Sequence, residues 1–108
     1  MNKLTLAAKG IRFSVEKDGR EVGRAYLYLL KNDLHSQPFG LLEDVFVEQD
    51  YRGAGVAKEL LEAVMAEAME SCYKLVATSR DDGTRTSVHE WYIRLGFTKY
   101  GTEFRMNF

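Results

Sequence analysis

At Val56 the apolar pattern of this chain changes period, and a short loop carrying Gly53 and Gly55 sits at the change. Upstream, Leu41 to Val47 is apolar enough for a strand interrupted by Glu43 and Asp44. Downstream, Val56/Ala57, Leu60/Leu61, Val64/Met65, Ala68/Met69 and then Cys72 recur every four residues. Lys58, Glu59, Glu62, Glu67 and Glu70 occupy the other faces. That recurrence predicts an amphipathic helix of about sixteen residues. Leu75-Val76-Ala77 follows as a short apolar strand. A strand, a glycine loop, a helix and a second strand in this order define a crossover unit, which brings two strands parallel.

The remaining segments surround this unit. Ile11, Phe13 and Val15 alternate with Arg12, Ser14 and Glu16, the period-two signature of a half-buried strand. Asp18-Gly19 predicts a hairpin turn, with Val22 to Leu30 as the returning strand. Asn32 to Pro38 is polar and reads as a loop, as does Asp81-Asp82-Gly83-Thr84. Thr86 to Leu95 reads as a helix closed by Gly96. Phe97 to Tyr100 and Glu103 to Phe108 predict two final strands around Gly101-Thr102. The order strand, strand, strand, helix, strand, helix, strand, strand is an α+β pattern. With no repeats or linker-like tracts, residues 1–108 are expected to form a single domain.

Charge and composition limit the function classes. Fifteen basic and sixteen acidic residues give a formal net charge of −1, which argues against a dedicated nucleic-acid binder. No apolar run reaches membrane-spanning length. The N-terminal apolar stretch is too short for a signal peptide, and Lys9 interrupts it. Cys72 is the single cysteine, so no intrachain disulfide can form; a reducing, cytoplasmic setting is expected. His35 and His89 have no acidic or cysteine neighbours at ligand spacing, so no metal is expected.

The loop itself points to an anion. The segment is Glu48-Gln49-Asp50-Tyr51-Arg52-Gly53-Ala54-Gly55-Val56-Ala57. Glycines let a ligand approach the backbone closely. The first N–H groups of a helix lack intrahelical partners, and the helix dipole favours negative charge there. Arg52 adds a charged donor fork. These features describe a diphosphate cradle. A Walker loop is excluded because Lys58 follows Ala57 and precedes Glu59. A dinucleotide fingerprint fits poorly, because Lys58 stands where its third glycine belongs. The bland reading is a glycine-rich helix start with a solvated arginine.

Arg52, Gly55 and Ala57 match an Arg/Gln-x-x-Gly-x-Gly/Ala signature, and through it the chain resembles the GCN5-related N-acetyltransferase (GNAT) family. Trp91-Tyr92-Ile93-Arg94-Leu95-Gly96-Phe97 resembles the aromatic-Tyr-x-x-x-Gly-Phe segment of that family, about forty residues further on. The resemblance covers Leu41 to Phe97. It implies a mixed, mostly antiparallel sheet with a strand–helix–strand crossover and helices packed on it, the acyl-CoA N-acyltransferase fold. It further implies acetyl-CoA as co-substrate, with Arg52, Gly53, Ala54, Gly55, Val56, Ala57 and Lys58 lining its pyrophosphate. The backbone of Val45, Phe46 and Val47 would meet the pantetheine arm, at a strand edge opened by a bulge. Tyr92 would donate a proton to the departing thiolate; the competing reading makes it an aromatic packing residue. Among Arg80, Arg85 and Arg94 the resemblance seeks a partner for the 3′-phosphate. An asparagine common near Arg85 in the family is missing here.

Glu43 and Asp44 are adjacent acids in an apolar strand, and regular alternation would put them on opposite faces. A carboxylate can accept the proton an attacking amine must lose. Glu43 is the nominated base and Asp44 the second choice; a structural ion pair is the competing reading. Alternation also predicts Val45 and Val47 on the Glu43 face. His89, three residues before Tyr92, is a candidate relay or a packing residue. Cys72 ends the helical stripe and is expected to pack.

Family members carry one or two helices before the second strand, and only Leu4 to Gly10 precedes Ile11 here. A truncated N-terminal part is therefore expected, with room for a first strand but not for those helices. The acceptor side would be completed by a second subunit, as in a homodimer, or left open for a bulky acceptor. The expected partner is a small molecule or a protein bearing an amine. Two further classes compete with an N-acetyltransferase: a non-catalytic acyl-CoA-binding or sensing module, and a structural subunit that keeps only the fold.

Overall fold

The computed structural model describes all residues, Met1–Phe108. They form two compact units, Met1–Ala77 and Thr78–Phe108.

The first unit is a sheet with one helix across it. Its strands are β1 (Lys9–Lys17), β2 (Arg20–Leu30), β3 (Phe39–Val47) and β4 (Leu75–Ala77), in the spatial order β1-β2-β3-β4. The first two pairings are antiparallel; β3 and β4 are parallel, as the crossover predicts. Asp18 and Gly19 turn the β1–β2 hairpin with φ of 53° and 75°. Two consecutive positive values are what a two-residue hairpin turn with the right twist needs. Met1 to Ala8 form no strand, so the chain does not fill the expected first-strand position; β1 starts at Lys9.

The helix α1 spans Val56–Ser71 and packs on β1, β2 and β3. It buries Val56, Leu60, Leu61, Val64 and Ala68 against Val15, Val22, Ala25, Leu27, Leu29 and Leu42. Met69, part of the expected stripe, is instead 83% exposed. The cause is geometric: a helix turns every 3.6 residues, so a four-residue recurrence drifts around the axis and leaves the sheet by its last turn.

Gly23 sets how closely the start of α1 approaches β2. A Cβ there would lie 2.6 Å from Val56 Cγ1 and 3.2 Å from Leu60 Cδ1. Val56 is held in a stiff rotamer by its branching, so its methyl has little freedom to give way. Gly23→Ala is expected to overpack this contact and cost about 1–3 kcal/mol, read from urea unfolding. An unchanged midpoint would mean that the first turn of α1 yields easily.

The second unit contains α2 (Thr86–Leu95). Before it, the Asp82 carboxylate accepts from the Thr84 N–H and hydroxyl. Both bonds favour the charged carboxylate and hold its pKa below the ordinary value. After α2, Gly96 adopts φ 107°, its N–H reaches the Ile93 carbonyl, and the Phe97 N–H reaches the Tyr92 carbonyl. This is a Schellman closure, completed by a ring contact between Phe97 and Tyr92 with centroids 5.2 Å apart.

The two strands expected over Phe97 to Tyr100 and Glu103 to Phe108 are not formed. Alternation shows which side chains share a face; a strand also needs a partner for its backbone groups. Tyr100, Phe104 and Phe108 are 98%, 94% and 112% exposed, so nothing covers that pattern.

Candidate active site

The loop between β3 and α1 is built as a stair of tight turns. Gln49–Tyr51 is a 3-10 turn, in which the Tyr51 N–H bonds the Glu48 carbonyl and the Arg52 N–H bonds the Gln49 carbonyl. The Ala54 N–H then bonds the Tyr51 carbonyl. Gly53 and Gly55 take φ of 83° and 84°, and Gly55 is the N-cap of α1. The first bond of the helical ladder runs from Glu59 N–H to the Gly55 carbonyl, 3.0 Å. The N–H groups of Val56, Ala57 and Lys58 therefore precede the ladder and lie at its positive end. A Cβ on Gly53 or Gly55 would meet no atom of the protein within 4 Å. The space over the loop is open to a ligand, so the residues present fit an anion at this helix start.

Arg52 is exposed, but its Nε donates to the Val47 carbonyl at 3.0 Å. That bond leaves the terminal nitrogens to meet an anion and ties the loop to the end of β3. Lys58 is exposed and 3.7 Å from Glu62, one turn on.

The middle of β3 departs from regular alternation. Asp44 has φ 51°, and the β2–β3 register shifts there: Tyr26 faces Glu43 while Arg24 faces Phe46, so Asp44 and Val45 together oppose Ala25. This is a β-bulge. It corrects one expectation. Val47 pairs with Gly23, on the α1 side of the sheet, whereas Glu43 and Phe46 pair with Tyr26 and Arg24 on the other. The extra residue reverses the alternation, so Val47 does not share a face with Glu43. Asp44 is exposed, and Glu43 is half-buried.

The Glu43 face carries aromatic rings and guanidinium groups. Tyr26 and Tyr28 stack with centroids 6.3 Å apart. The Arg24 guanidinium lies 4.8 Å from the Phe46 ring centre. Arg12 donates to the Tyr26 hydroxyl and forms a bidentate pair with Glu21. Glu43 itself takes part in no ion pair, contrary to the structural reading of that acid. β4 pairs only with Gly40, Leu41 and Leu42. From Glu43 to Val47 the edge of β3 away from β2 has no ladder partner in β4, so its backbone groups, other than the Val47 carbonyl that Arg52 holds, are available to amides of a ligand.

In the second unit, Tyr92 is half-buried between Trp91 and Phe97. Burial pushes its pKa above the ordinary value of 10, opposed by the charge of Arg85. A phenol held protonated in this way remains a donor throughout the neutral range. Burial likewise raises the Cys72 thiol, with the charge of Glu67 adding to the effect, which makes it a poor nucleophile. His89 sits inside α2 and is half-buried.

Sequence reasoning missed the 3-10 turn, the tie from Arg52 to Val47 and the anchoring of Tyr51 described below. No periodicity signals them; each depends on a contact between distant residues.

A glycine-headed helix after a bulged strand, in a mixed sheet with one parallel crossover, is the arrangement that the resemblance implies. A family model for the acetyltransferase (GNAT) domain matches residues 9–99. The chain belongs to the GNAT acetyltransferase family. It is 30% identical over 97 residues to a glucosamine 6-phosphate N-acetyltransferase of Trypanosoma brucei brucei, covering 88% of this chain and 63% of that protein. A solved Trypanosoma brucei acetyltransferase superposes with a TM-score of 0.77 at 27% identity, over 94% of this chain and 69% of the other. The glucosamine-6-phosphate N-acetyltransferase of Arabidopsis thaliana gives a TM-score of 0.80 at 19% identity, over 92% and 67%, a likeness of fold alone.

Proposed function

We propose that this chain is an N-acetyltransferase that moves the acetyl group of acetyl-CoA to a primary amine by direct attack within a ternary complex. The observation that carries the reading is the loop from Arg52 to Lys58, with two glycines open to ligand and three N–H groups ahead of the helical ladder. These groups would hold the pyrophosphate, with Arg52 contributing its free terminal nitrogens. The unpaired edge of Val45 to Val47 would take the pantetheine amides.

Holding both substrates removes the entropic cost of a bimolecular encounter, and no covalent intermediate is needed. The amine nitrogen attacks the thioester carbonyl, and its excess proton passes to Glu43, directly or through water. As the tetrahedral intermediate collapses, Tyr92 gives its hydroxyl proton to the leaving sulfur. Solvent then returns a proton to Tyr92 and takes one from Glu43. Half-burial beside Tyr26 and exposure at a left-handed bulge favour Glu43 over Asp44 for the base.

Glu43→Gln is expected to lower kcat by about 100-fold while acetyl-CoA affinity stays near its original value. A kcat unchanged in Glu43→Gln and lost in Asp44→Asn would move the base to Asp44. The relative from Trypanosoma brucei brucei is named for glucosamine 6-phosphate, so that amine is the first acceptor to assay. Calorimetric titration with acetyl-CoA, followed by an amine screen for thiol release, tests the proposal. Binding without release for any amine would favour an acyl-CoA-sensing module; no binding would remove the phosphate-loop assignment.

A further inference from the structure

The acetyl-CoA loop is tied to a turn far away in sequence. Tyr51, the last residue of the 3-10 turn and the one before Arg52, donates its hydroxyl to Asp18 Oδ2 at 2.5 Å. The guanidinium of Arg20 lies 5.5 Å from the centre of the same ring. Asp18 and Arg20 flank the tip of the β1–β2 hairpin, where Asp18 is held in the left-handed region at φ 53°. Tyr51 is thus gripped at its hydroxyl by one side of the turn and on its ring by the other.

We infer that Asp18, Arg20 and Tyr51 form a clamp that fixes the phosphate loop in its ligand-ready shape, making Asp18 a positioning residue for acetyl-CoA. The inference rests on the proposed reading of that loop as the pyrophosphate site. Three observations support it. The loop has no regular secondary structure between Tyr51 and Val56, so its shape is set by its ends. At the far end it is fixed by the first turn of α1, through Val56 packed at Gly23. At the near end Arg52 reaches the Val47 carbonyl, and Tyr51 is the one remaining side chain that reaches out of the loop to another element. A loop ordered before binding loses less entropy when the ligand arrives, and that difference appears in affinity. The bond also holds the Tyr51 proton, through the Asp18 carboxylate and then burial, against the opposing Arg20; the clamp therefore stays closed across the neutral range.

The test uses variants that leave the hairpin sound. Asp18→Asn suits the turn, because asparagine followed by glycine is the favoured pair at two left-handed positions. Tyr51→Phe keeps the ring over which Arg20 lies and removes the hydroxyl alone. Calorimetry with acetyl-CoA and steady-state kinetics are run on the full chain, on each variant and on the double variant. We expect each single variant to weaken acetyl-CoA binding about fivefold, with kcat at saturation within about twofold. The double variant should be no weaker than either single one, because both remove the same bond. Amide exchange at Gly53, Gly55 and Val56 in the unliganded protein should speed up in both, with melting temperature unchanged. Unchanged affinity and exchange in the variants, with the original chain binding normally, would overturn the clamp and leave the acetyl-CoA site standing. If the original chain does not bind acetyl-CoA, the site and the clamp fall together.

Discussion

Gly55→Val should abolish measurable acetyl-CoA binding, with a loss of at least ~100-fold, while the protein still folds. At φ 84° a β-branched residue is strained by about 1–3 kcal/mol. The new side chain would nevertheless meet no protein atom, since nothing lies within 4 Å of the Cβ position. What it would obstruct is the approach of a diphosphate to the N–H groups of Val56 and Ala57. Hydrogen bonds to a charged group contribute about 1.5–3 kcal/mol each, so losing two accounts for the factor. Gly83 supplies the control. It also has φ 84° and nothing near its Cβ position, but it lies in the loop before α2. Gly83→Val should carry the same backbone strain and leave acetyl-CoA affinity in place. Equal affinity losses in both variants would mean that strain, rather than a blocked ligand, explains the result.

Tyr92→Phe should lower kcat by about 10²–10⁴-fold and leave acetyl-CoA affinity and thermal stability close to the original. The separation is sharp because the packing contacts of Tyr92 and its proposed proton transfer rest on different atoms. Its ring and carbonyl complete the Schellman closure with Phe97, and phenylalanine retains both. Its hydroxyl is the part assigned to the thiolate. A variant that loses stability and activity together would restore the packing reading. The pH profile gives a second check. Burial raises the Tyr92 pKa, so any alkaline limb of kcat that belongs to it should lie above pH 10. The same sign governs stability: the neutral phenol is favoured in the folded protein, so this contribution is kept at neutral pH and lost only as pH rises through the elevated folded value.

Much of the framework was legible because it is local. The helix from Thr86 to Leu95 and its Gly96 closure follow from a short pattern and one glycine. The β1–β2 hairpin is announced by Asp18-Gly19. The sixteen residues of α1 follow from apolar recurrence, although its final turn was misjudged at Met69, where a period of four stood in for 3.6. The paired strands expected at the C-terminal end show the opposite case. Alternation at Phe104, Met106 and Phe108 is real, but pairing is non-local, and no partner is found. In the candidate site, the glycine loop could be read from spacing and resemblance. The residue that redirects Val47 could not, because Asp44 in a left-handed conformation follows from strand register rather than from its own chemistry.

The bulge at Asp44 also governs which changes of length this strand can absorb. A sheet residue faces one side or the other by parity, and the extra residue resets the count between Glu43 and Phe46. Deleting Asp44 would restore strict alternation and leave Phe46 and Val47 opposite Arg24 and Gly23 on their present faces, because a single residue would then oppose Ala25. An exchange at the site keeps the bulge as well, provided the newcomer tolerates a left-handed backbone, as asparagine and glycine do. This strand can therefore exchange residue 44, or lose it, without turning Phe46 or Val47 to the other face; what the loss would remove is the bulge itself and the irregular edge it makes.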